Sequence, residues 1–225
     1  EKAGIIKPGV PLVLGSSLPK KVLQEVAYDK QAPFVQVESL GDCEMQNQAI
    51  AKAGAQILGL SNLEGITSLP PCRFECVPKR QILADVPGVI LDVAHNPASI
   101  QSLLSRIKGP LRIAFALGEH KDISSLVELL KPFAPNIHLL DYDHDRLLCK
   151  ENLEKAFYGI PCFAPIAIDR ALRQALDLAE KNHETLVIFG SFYIHSKVRQ
   201  FFNYSEEVDD LPVQDAPVLS ARQSI

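Results

Sequence analysis

Three short segments of the chain place polar side chains directly after apolar runs. Residues 92–96 follow the run 89–91, residues 118–122 follow 111–117, and residues 190–193 follow 185–189. In open α/β sheets, ligands bind where the carboxyl ends of parallel strands meet. We therefore expect the three segments to lie along one edge of a sheet and to form a binding site for a phosphate- or hydroxyl-bearing ligand.

The residue types at this edge allow binding roles and structural roles alike. Asp92 suits a ribose hydroxyl pair or a metal-bound water, and His95 suits a phosphate oxygen, although both can instead satisfy loop backbone groups. Asn96 precedes a proline and predicts a helix start whose amides could hold an anion. Asp122 is predicted to cap the following helix. Ser191, after a glycine, suits either a cap or a ligand contact.

The elements that position these segments follow from the periodicity of apolar residues. Strands are predicted at 10–14, 34–37, 89–91, 111–117, 137–140 and 185–189, and helices at 19–29, 44–58, 97–107, 123–133, 151–157 and 168–182. Within 62–71, Gly65, Pro70 and Pro71 predict a junction. We expect an α/β protein with a first domain at 1–66, a Rossmann-like domain at 67–204, and a mobile acidic tail at 205–225.

Composition argues against several classes of protein. The net charge of -4, with scattered Lys and Arg, disfavours nucleic acid as a partner. The apolar stretches are interrupted well short of the roughly 20 residues that span a bilayer. The five cysteines are typical of reduced cytosolic thiols, and Cys72 and Cys76 lack a second Cys/His pair at zinc-ligand spacing. We therefore predict a cytoplasmic protein without a membrane span and without a zinc site.

Five motifs, taken in order, resemble those of folylpolyglutamate synthase and dihydrofolate synthase, members of the Mur ligase superfamily. They are Glu-Lys-Ala-Gly-Ile-Ile-Lys-Pro-Gly at 1–9, the helix that carries Asn47, Cys-Arg-Phe-Glu at 72–75, Leu-Asp-Val-Ala-His-Asn-Pro at 91–97, and Gly-Ser-Phe-Tyr at 190–193. The resemblance covers about residues 1–202. It implies that 1–66 ends a central ATP-binding domain, that 67–204 is the C-terminal glutamate-ligase domain, and that the chain is a C-terminal fragment.

The activity implied by the resemblance is ATP-dependent amide-bond formation. ATP would phosphorylate a carboxylate of dihydropteroate or tetrahydrofolate, and the amine of L-glutamate would attack the acyl phosphate. Mg²⁺ would neutralise charge on the transferring phosphate. The partners implied are the folate or pteroate substrate and L-glutamate, in a monomeric protein.

The resemblance also assigns roles to individual residues. Lys2 would be carbamylated, which converts a cation into a carboxylate-like group, and His95 would be a second catalytic residue. Otherwise Lys2 is a helix-end lysine, and Arg73 an interdomain ion-pair partner. The residues expected to contact the nucleotide are Asn47, Arg73, Asp92 and Ser191.

Some features depart from the family pattern. The 225 residues contain no phosphate-binding Gly-Lys-Ser loop, so we expect the isolated chain to be inactive. Cys72 replaces the glycine that usually precedes the arginine, and its β-carbon is expected to alter the turn that carries Arg73. Two other interpretations stay open: a non-catalytic nucleotide-binding module derived from such a ligase, and a Mur-type ligase acting on a different carboxylate.

Overall fold

The computed structural model describes residues 2–15, 20–38, 43–60, 70–119 and 122–204. The chain separates into two compact units, Glu1–Ser68 and Leu69–Ile225. The predicted junction between 66 and 67 and the predicted tail at 205–225 lie outside the described residues, and the assignment of the units to named domains stays a prediction. None of the described helices combines the length and apolar composition that a bilayer crossing demands.

The described residues of the first unit form a short 3₁₀ helix followed by two parallel strands and two helices. In chain order these are the 3₁₀ helix Lys2–Ile5, β1 (Leu12–Leu14), α1 (Lys20–Asp29), β2 (Phe34–Gln36) and α2 (Cys43–Ile57). A small core forms around Ile6, Ala27 and Ala32, where α1 packs against the strands. The strands and helices agree with the predicted ones to within about two residues at each end.

Helix α2 differs from its prediction in burial. Its spacing of Ala49, Ile50, Ala53 and Ile57 predicts one buried stripe, but none of the four is buried among the described residues, and Ile57 is 41% exposed. Within the described part of the first unit, the helix packs on β1 of a two-stranded sheet. Two strands cover little of the stripe, so the burial in this structure is lower than the periodicity predicts.

The second unit is a six-stranded sheet covered by helices. Its elements are β3 (Glu75–Cys76), β4 (Val89–Leu91), α3 (Pro97–Ser105), β5 (Leu111–Phe115), α4 (Ile123–Leu130), β6 (Ile137–Asp141), α5 (Lys150–Ala156), β7 (Phe163–Ala167), α6 (Ile168–Asn182), β8 (Thr185–Phe189) and α7 (His195–Phe201). The strand order is β3-β4-β8-β5-β6-β7. All pairings are parallel except that of β3 with β4. The predicted α/β class is confirmed.

Two apolar cores, one on each face of the sheet, hold this unit together. Alternate residues of each strand point to opposite faces, so that Val187 joins one core and Ile188 the other. Helices α3, α4 and α5 cover the first face, and α6 and α7 cover the second. Burial on both faces explains why β4 and β8 read as continuous apolar runs in the sequence.

Strands β3 and β7 and helix α7 are absent from the sequence prediction. β7 reads Phe-Ala-Pro-Ile-Ala, and Pro165 within it argues against a strand because proline cannot donate to the ladder. The structure accommodates Pro165 because β7 is the edge strand beyond β6, and the pairing is irregular between His138 and Leu140. Helix α7 is short and follows directly on a 3₁₀ turn at Phe192–Ile194, so its periodic signal is weak.

A buried polar network lies at the amino-terminal ends of β5, β6 and β8, opposite the predicted site. Arg112 Nε donates to Oε2 of Glu184 at 2.8 Å, and its Nη1 donates to Nε2 of His138 at 3.0 Å. Asn136 Nδ2 donates to Oε1 of Glu184 at 2.9 Å. Burial and the Arg112 charge lower the pKa of His138 to about 4, which keeps its Nε2 available as an acceptor.

Candidate active site

The strand order brings the three predicted segments together. β4, β8 and β5 are neighbours and run parallel, so the residues that follow them meet at one edge of the sheet. There they enclose a pocket of about 290 Å³, whose lining residues are His95, Gly118, Glu119, Arg146, Gly190, Ser191, Phe192 and Tyr193. His120 and Lys121 lie outside the described residues. The expectation of a shared edge is confirmed.

Gly190 forms the floor of this pocket and cannot be replaced by a larger residue without movement. Its φ of 114° is rarely adopted by residues with a side chain, and a β-carbon built there would lie 1.9 Å from the carbonyl oxygen of Ala116. The same β-carbon would meet the Phe115 ring at 2.7 Å. The glycine therefore permits β8 to turn away tightly against β5, which places Ser191 in the pocket.

Ser191 has the capping role that the sequence allowed. It is buried, and its Oγ accepts a hydrogen bond from the Tyr193 N–H at 3.4 Å at the start of the short 3₁₀ helix. The bond is long for a hydrogen bond, and a hydroxyl retains a proton to donate. Ser191 therefore combines a structural role with the capacity to donate to a ligand in the pocket.

His95 is oriented by its own loop. Its Nδ1 lies 2.8 Å from the carbonyl oxygen of Val93 and donates to it, which leaves Nε2 available to a ligand. The next residue, Asn96, caps α3: its Oδ1 accepts from the Ser99 N–H at 2.9 Å, and Ser99 Oγ accepts from the Asn96 N–H. The predicted helix start is confirmed, and the cap fixes the loop that carries His95.

Asp92 lies behind this loop and outside the pocket lining. Its Oδ1 accepts from the Ala94 N–H at 2.7 Å, and its Oδ2 accepts from the Phe74 N–H at 2.8 Å. The imidazole of buried His195 donates through Nε2 to the Asp92 carbonyl oxygen at 2.8 Å. Both carboxylate oxygens thus bind backbone in this structure, which matches the structural alternative; a nucleotide contact by Asp92 stays a prediction.

Arg73 lies at the same edge, on the turn that leads into β3. The antiparallel pairing of β3 with β4 places this turn beside the carboxyl end of β4. Arg73 is exposed and forms no ion pair in the part of the chain that the structure describes. Cys72 beside it adopts a φ of 61°, the left-handed conformation in which glycine is favoured. Cys72 therefore adopts this conformation despite its β-carbon, and whether the turn differs from that of the relatives stays a prediction.

The cysteine pair near this turn differs in exposure. Cys72 is buried while Cys76 is exposed, and both thiols are free. Burial and the negative charge of Glu75 raise the pKa of the Cys72 thiol to about 11. Among the described residues, no three His, Cys, Asp or Glu side chains lie close enough together to hold a metal ion.

Sequence reasoning missed Arg146 and named Phe192 and Tyr193 only as members of the segment 190–193. Arg146, exposed in the loop after β6, forms no ion pair among the described residues and adds positive charge. Phe192 and Tyr193 are exposed on the rim, and the Tyr193 ring lies 4.5 Å from that of His144. An arginine shortly after the end of β6 was the one sequence signal for Arg146. The loop reaches the pocket because Leu147 pairs with Gly118, and no local sequence pattern indicates that pairing.

Two predicted site residues belong to the first unit. Lys2 begins the 3₁₀ helix Lys2–Ile5, and its side chain lies outside the described residues. Asn47 lies in the second turn of α2, and its side chain is exposed. Their roles stay predictions.

Comparison with known proteins finds curated relatives in sequence and solved structures of similar fold. No family model matches the chain. The dihydrofolate synthase/folylpolyglutamate synthase of Bacillus subtilis (strain 168) is 22% identical over 89% of this chain and 56% of its own length. The chain spans about half the length of the curated relatives it matches, 54 to 56%.

Solved structures agree in fold. A Mycobacterium tuberculosis folylpolyglutamate synthase complexed with ADP and AMPPCP superposes with a TM-score of 0.73 at 20% identity, over 91% of this chain and 58% of that one. A bifunctional folylpolyglutamate synthase/dihydrofolate synthase with Mn, AMPPNP and L-glutamate bound gives 0.64 at 24% identity, over 88% of this chain and 55% of that one. In sequence over most of its length and in fold, the chain is therefore similar to folylpolyglutamate synthase and dihydrofolate synthase, and the predicted resemblance to that family is confirmed.

Proposed function

We propose that this chain contributes to an ATP-dependent ligase that joins L-glutamate to dihydropteroate, to tetrahydrofolate, or to both through an acyl phosphate. The observation that carries the proposal is the convergence of His95, Gly190 and Ser191 on one pocket at the carboxyl edge of the sheet, in a chain similar to enzymes of that name. The missing phosphate-binding loop belongs to the proposal as well: the chain acts together with residues that it does not itself contain.

Two arginines at this edge offer groups that suit the phosphates of a nucleotide. Arg73 and Arg146 are both exposed and unpaired with carboxylates in the described ranges, and a guanidinium group matches phosphate geometry well. ATP would supply the phosphoryl group that activates the substrate carboxylate. We propose Arg73 and Asn47 as nucleotide-binding residues, each argued from its own unit.

We propose that Mg²⁺ binds together with the nucleotide. The described residues offer no cluster of ligands for the ion, and Mg²⁺ commonly binds proteins through substrate phosphates and one or two carboxylates. We propose carbamylated Lys2 as the residue of this chain that would contribute to holding the ion.

His95 and Ser191 are proposed to bind and orient glutamate. Glutamate presents an ammonium group and two carboxylates, and the pocket offers an imidazole Nε2, a serine hydroxyl and the Arg146 guanidinium. An imidazole acceptor can take a proton from the attacking amine, and the hydroxyl and guanidinium can hold a carboxylate. The pocket, lined by aromatic rings at its rim, would limit access of water to the activated carboxylate.

The test is phosphate release that depends on ATP, Mg²⁺, L-glutamate and a pteroate or folate acceptor. It compares the complete gene product with the 225-residue chain, and His95→Ala with the control Gln101→Ala on the exposed surface of α3. Activity of the complete protein that requires both acceptor and glutamate, and that His95→Ala abolishes, supports the proposal. Nucleotide binding without turnover would favour the non-catalytic module. The expectation of a cytoplasmic monomer is checked separately by light scattering and fractionation.

A further inference from the structure

The turn that carries Arg73 has an unusual backbone. Cys72 has a φ of 61° and Phe74 a φ of 49°, so both neighbours of Arg73 adopt the left-handed conformation without being glycine. This conformation is unfavourable for residues with a side chain, and it persists only where the surrounding contacts impose it. The contacts around the turn therefore identify what fixes it.

Hydrogen bonds hold the turn on both sides of Arg73. The Cys72 N–H donates to Oε2 of Glu75 at 2.7 Å, and the Phe74 N–H donates to Oδ2 of Asp92 at 2.8 Å. The ring of Phe74 lies 3.8 Å below the guanidinium of Arg106. The backbone is thus fastened while the Arg73 side chain remains exposed.

Glu75 is itself held by Arg199 of α7. A single nitrogen of Arg199, Nη1, lies 2.6 Å from Oε1 and 2.8 Å from Oε2 of Glu75. The two side chains are 20% and 19% exposed, which is less than in the other carboxylate pair of α7, Lys197 with Asp169. Burial alone would raise the pKa of Glu75, but the Cys72 N–H and Arg199 lower it below its usual value. Glu75 is therefore charged when it binds the turn, and charged acceptors form the stronger hydrogen bonds.

We propose that Glu75 and Arg199 are positioning residues for Arg73, fixing the turn at 72–74 so that the Arg73 guanidinium is presented to the phosphates of a nucleotide. The inference rests on the proposed function for the nature of the ligand. A turn that is fixed before binding reduces the conformational entropy lost when the ligand orders the arginine. Loss of the Glu75–Arg199 pair therefore weakens nucleotide binding and leaves the chemical step largely unchanged.

The test compares three variants of α7 in the complete protein. Arg199→Met removes the pair. Arg199→Lys keeps a cation, and a single ammonium group can replace Nη1, which alone makes both contacts. Lys197→Met is the matched control, because Lys197 lies on the same helix and pairs with Asp169 instead of the turn. Glu75→Gln, which keeps an acceptor for the Cys72 N–H but removes the charge, is a second perturbation of the same pair.

Two quantities are measured for each variant: amide hydrogen exchange and the kinetic constants for ATP. Hydrogen exchange of the Cys72 and Phe74 amides is expected to rise about tenfold or more in Arg199→Met, since opening of the turn exposes them. The KM for ATP is expected to rise about tenfold with kcat within about twofold of wild type, the pattern of a binding defect. Arg199→Lys and Lys197→Met should remain within about threefold of wild type in both measurements.

A double-mutant cycle with Arg73→Met separates positioning from general stability. If Arg199 acts through Arg73, then Arg199→Met has no further effect on ADP affinity once Arg73 is methionine. An equal loss of affinity in both backgrounds, or unchanged exchange of the turn amides in Arg199→Met, would overturn the inference.

The ADP titration does not require turnover, so the two proposals can fail separately. If ADP binds in an Arg73-dependent manner but no glutamate is ligated, the proposed ligase activity is wrong, and the double-mutant cycle with ADP still decides the positioning inference. If Arg73→Met leaves ADP affinity unchanged, the positioning inference is wrong, whatever the ligase assay shows.

Discussion

Replacing Gly190 with alanine tests the close approach of β8 to β5 on which the pocket depends. The added β-carbon would lie 1.9 Å from the Ala116 carbonyl oxygen, whereas ordinary contacts begin near 3.4 Å. Neither neighbour can move easily, because β5 is paired on both sides and the Phe115 ring, fully buried, contacts the rings of Phe157 and Phe189. The strand or the turn must therefore shift.

The expected cost combines two contributions. A positive φ at a residue with a β-carbon costs about 1–2 kcal/mol, and forcing extra volume into a packed core costs about 1–3 kcal/mol. We expect Gly190→Ala to lower the free energy of unfolding by about 2–5 kcal/mol in total. The same shift would displace Ser191 and impair ligand binding in the pocket.

Gly109→Ala is the matched control. Gly109 has a φ of 90°, but no atom lies within 4 Å of the position that its β-carbon would take, so only the backbone contribution of about 1–2 kcal/mol is expected. Urea unfolding followed by far-UV circular dichroism measures both variants in the full chain. Equal destabilisation by the two substitutions would refute the argument, because it would mean that the approach to Ala116 and Phe115 carries no energetic cost.

Three further predictions concern stability. His138 is protonated near pH 6.5 in the unfolded chain and only near 4 in the folded chain, so its contribution to the free energy of unfolding is complete above pH 6.5 and falls by at most about 3 kcal/mol as the pH drops to about 4. His138→Gln should flatten the pH dependence of the urea midpoint across this window, and an unchanged slope would contradict the prediction. Arg112→Met should lower the free energy of unfolding by about 3–5 kcal/mol, because it leaves the buried Glu184 carboxylate without a cation. The double variant with Glu184→Leu should lose less stability than Arg112→Met in chemical unfolding, and a double variant that is less stable would count against the prediction. Asn96→Ala should lower the free energy of unfolding by about 1 kcal/mol, because the α3 cap is lost. Thermal unfolding measures this, and an unchanged midpoint would contradict it.

Local sequence signals account for much of the second unit. Asn96 and Asp122 were predictable as helix caps because a cap depends only on residues within one turn, and both bind the N–H three residues onward. The core strands were predictable because burial on both faces requires continuous apolar runs. The edge shared by His95 and Ser191 followed from the rule for parallel strands.

The features that were missed depend on contacts between distant parts of the chain. Arg112 and Glu184 are 72 positions apart, and a charged residue within a strand reads as exposed until its partner is known. Pro165 hides β7 because only tertiary placement at the sheet edge makes a proline acceptable there. Arg146 reaches the pocket through a loop whose path no local pattern indicates.

The role of Asp92 illustrates a different limit. Its place after β4 was predictable, but a carboxylate at a strand end can bind a ligand or the backbone equally well. In the structure both of its oxygens bind backbone N–H groups, one of them in the turn that carries Arg73. Motif similarity alone does not separate a residue that touches a ligand from one that fixes its neighbours.

The most direct test of the central claim is detection of the product by mass spectrometry. The complete gene product is incubated with ATP, Mg²⁺, L-glutamate and dihydropteroate or tetrahydrofolate, and the mass of the acceptor is followed for the gain of one glutamyl residue. We expect the glutamylated product with the wild-type protein and with Gln101→Ala, and its loss with His95→Ala. Absence of the product with the wild-type protein, or its undiminished formation by His95→Ala, would contradict the claim that this pocket serves a glutamate ligase.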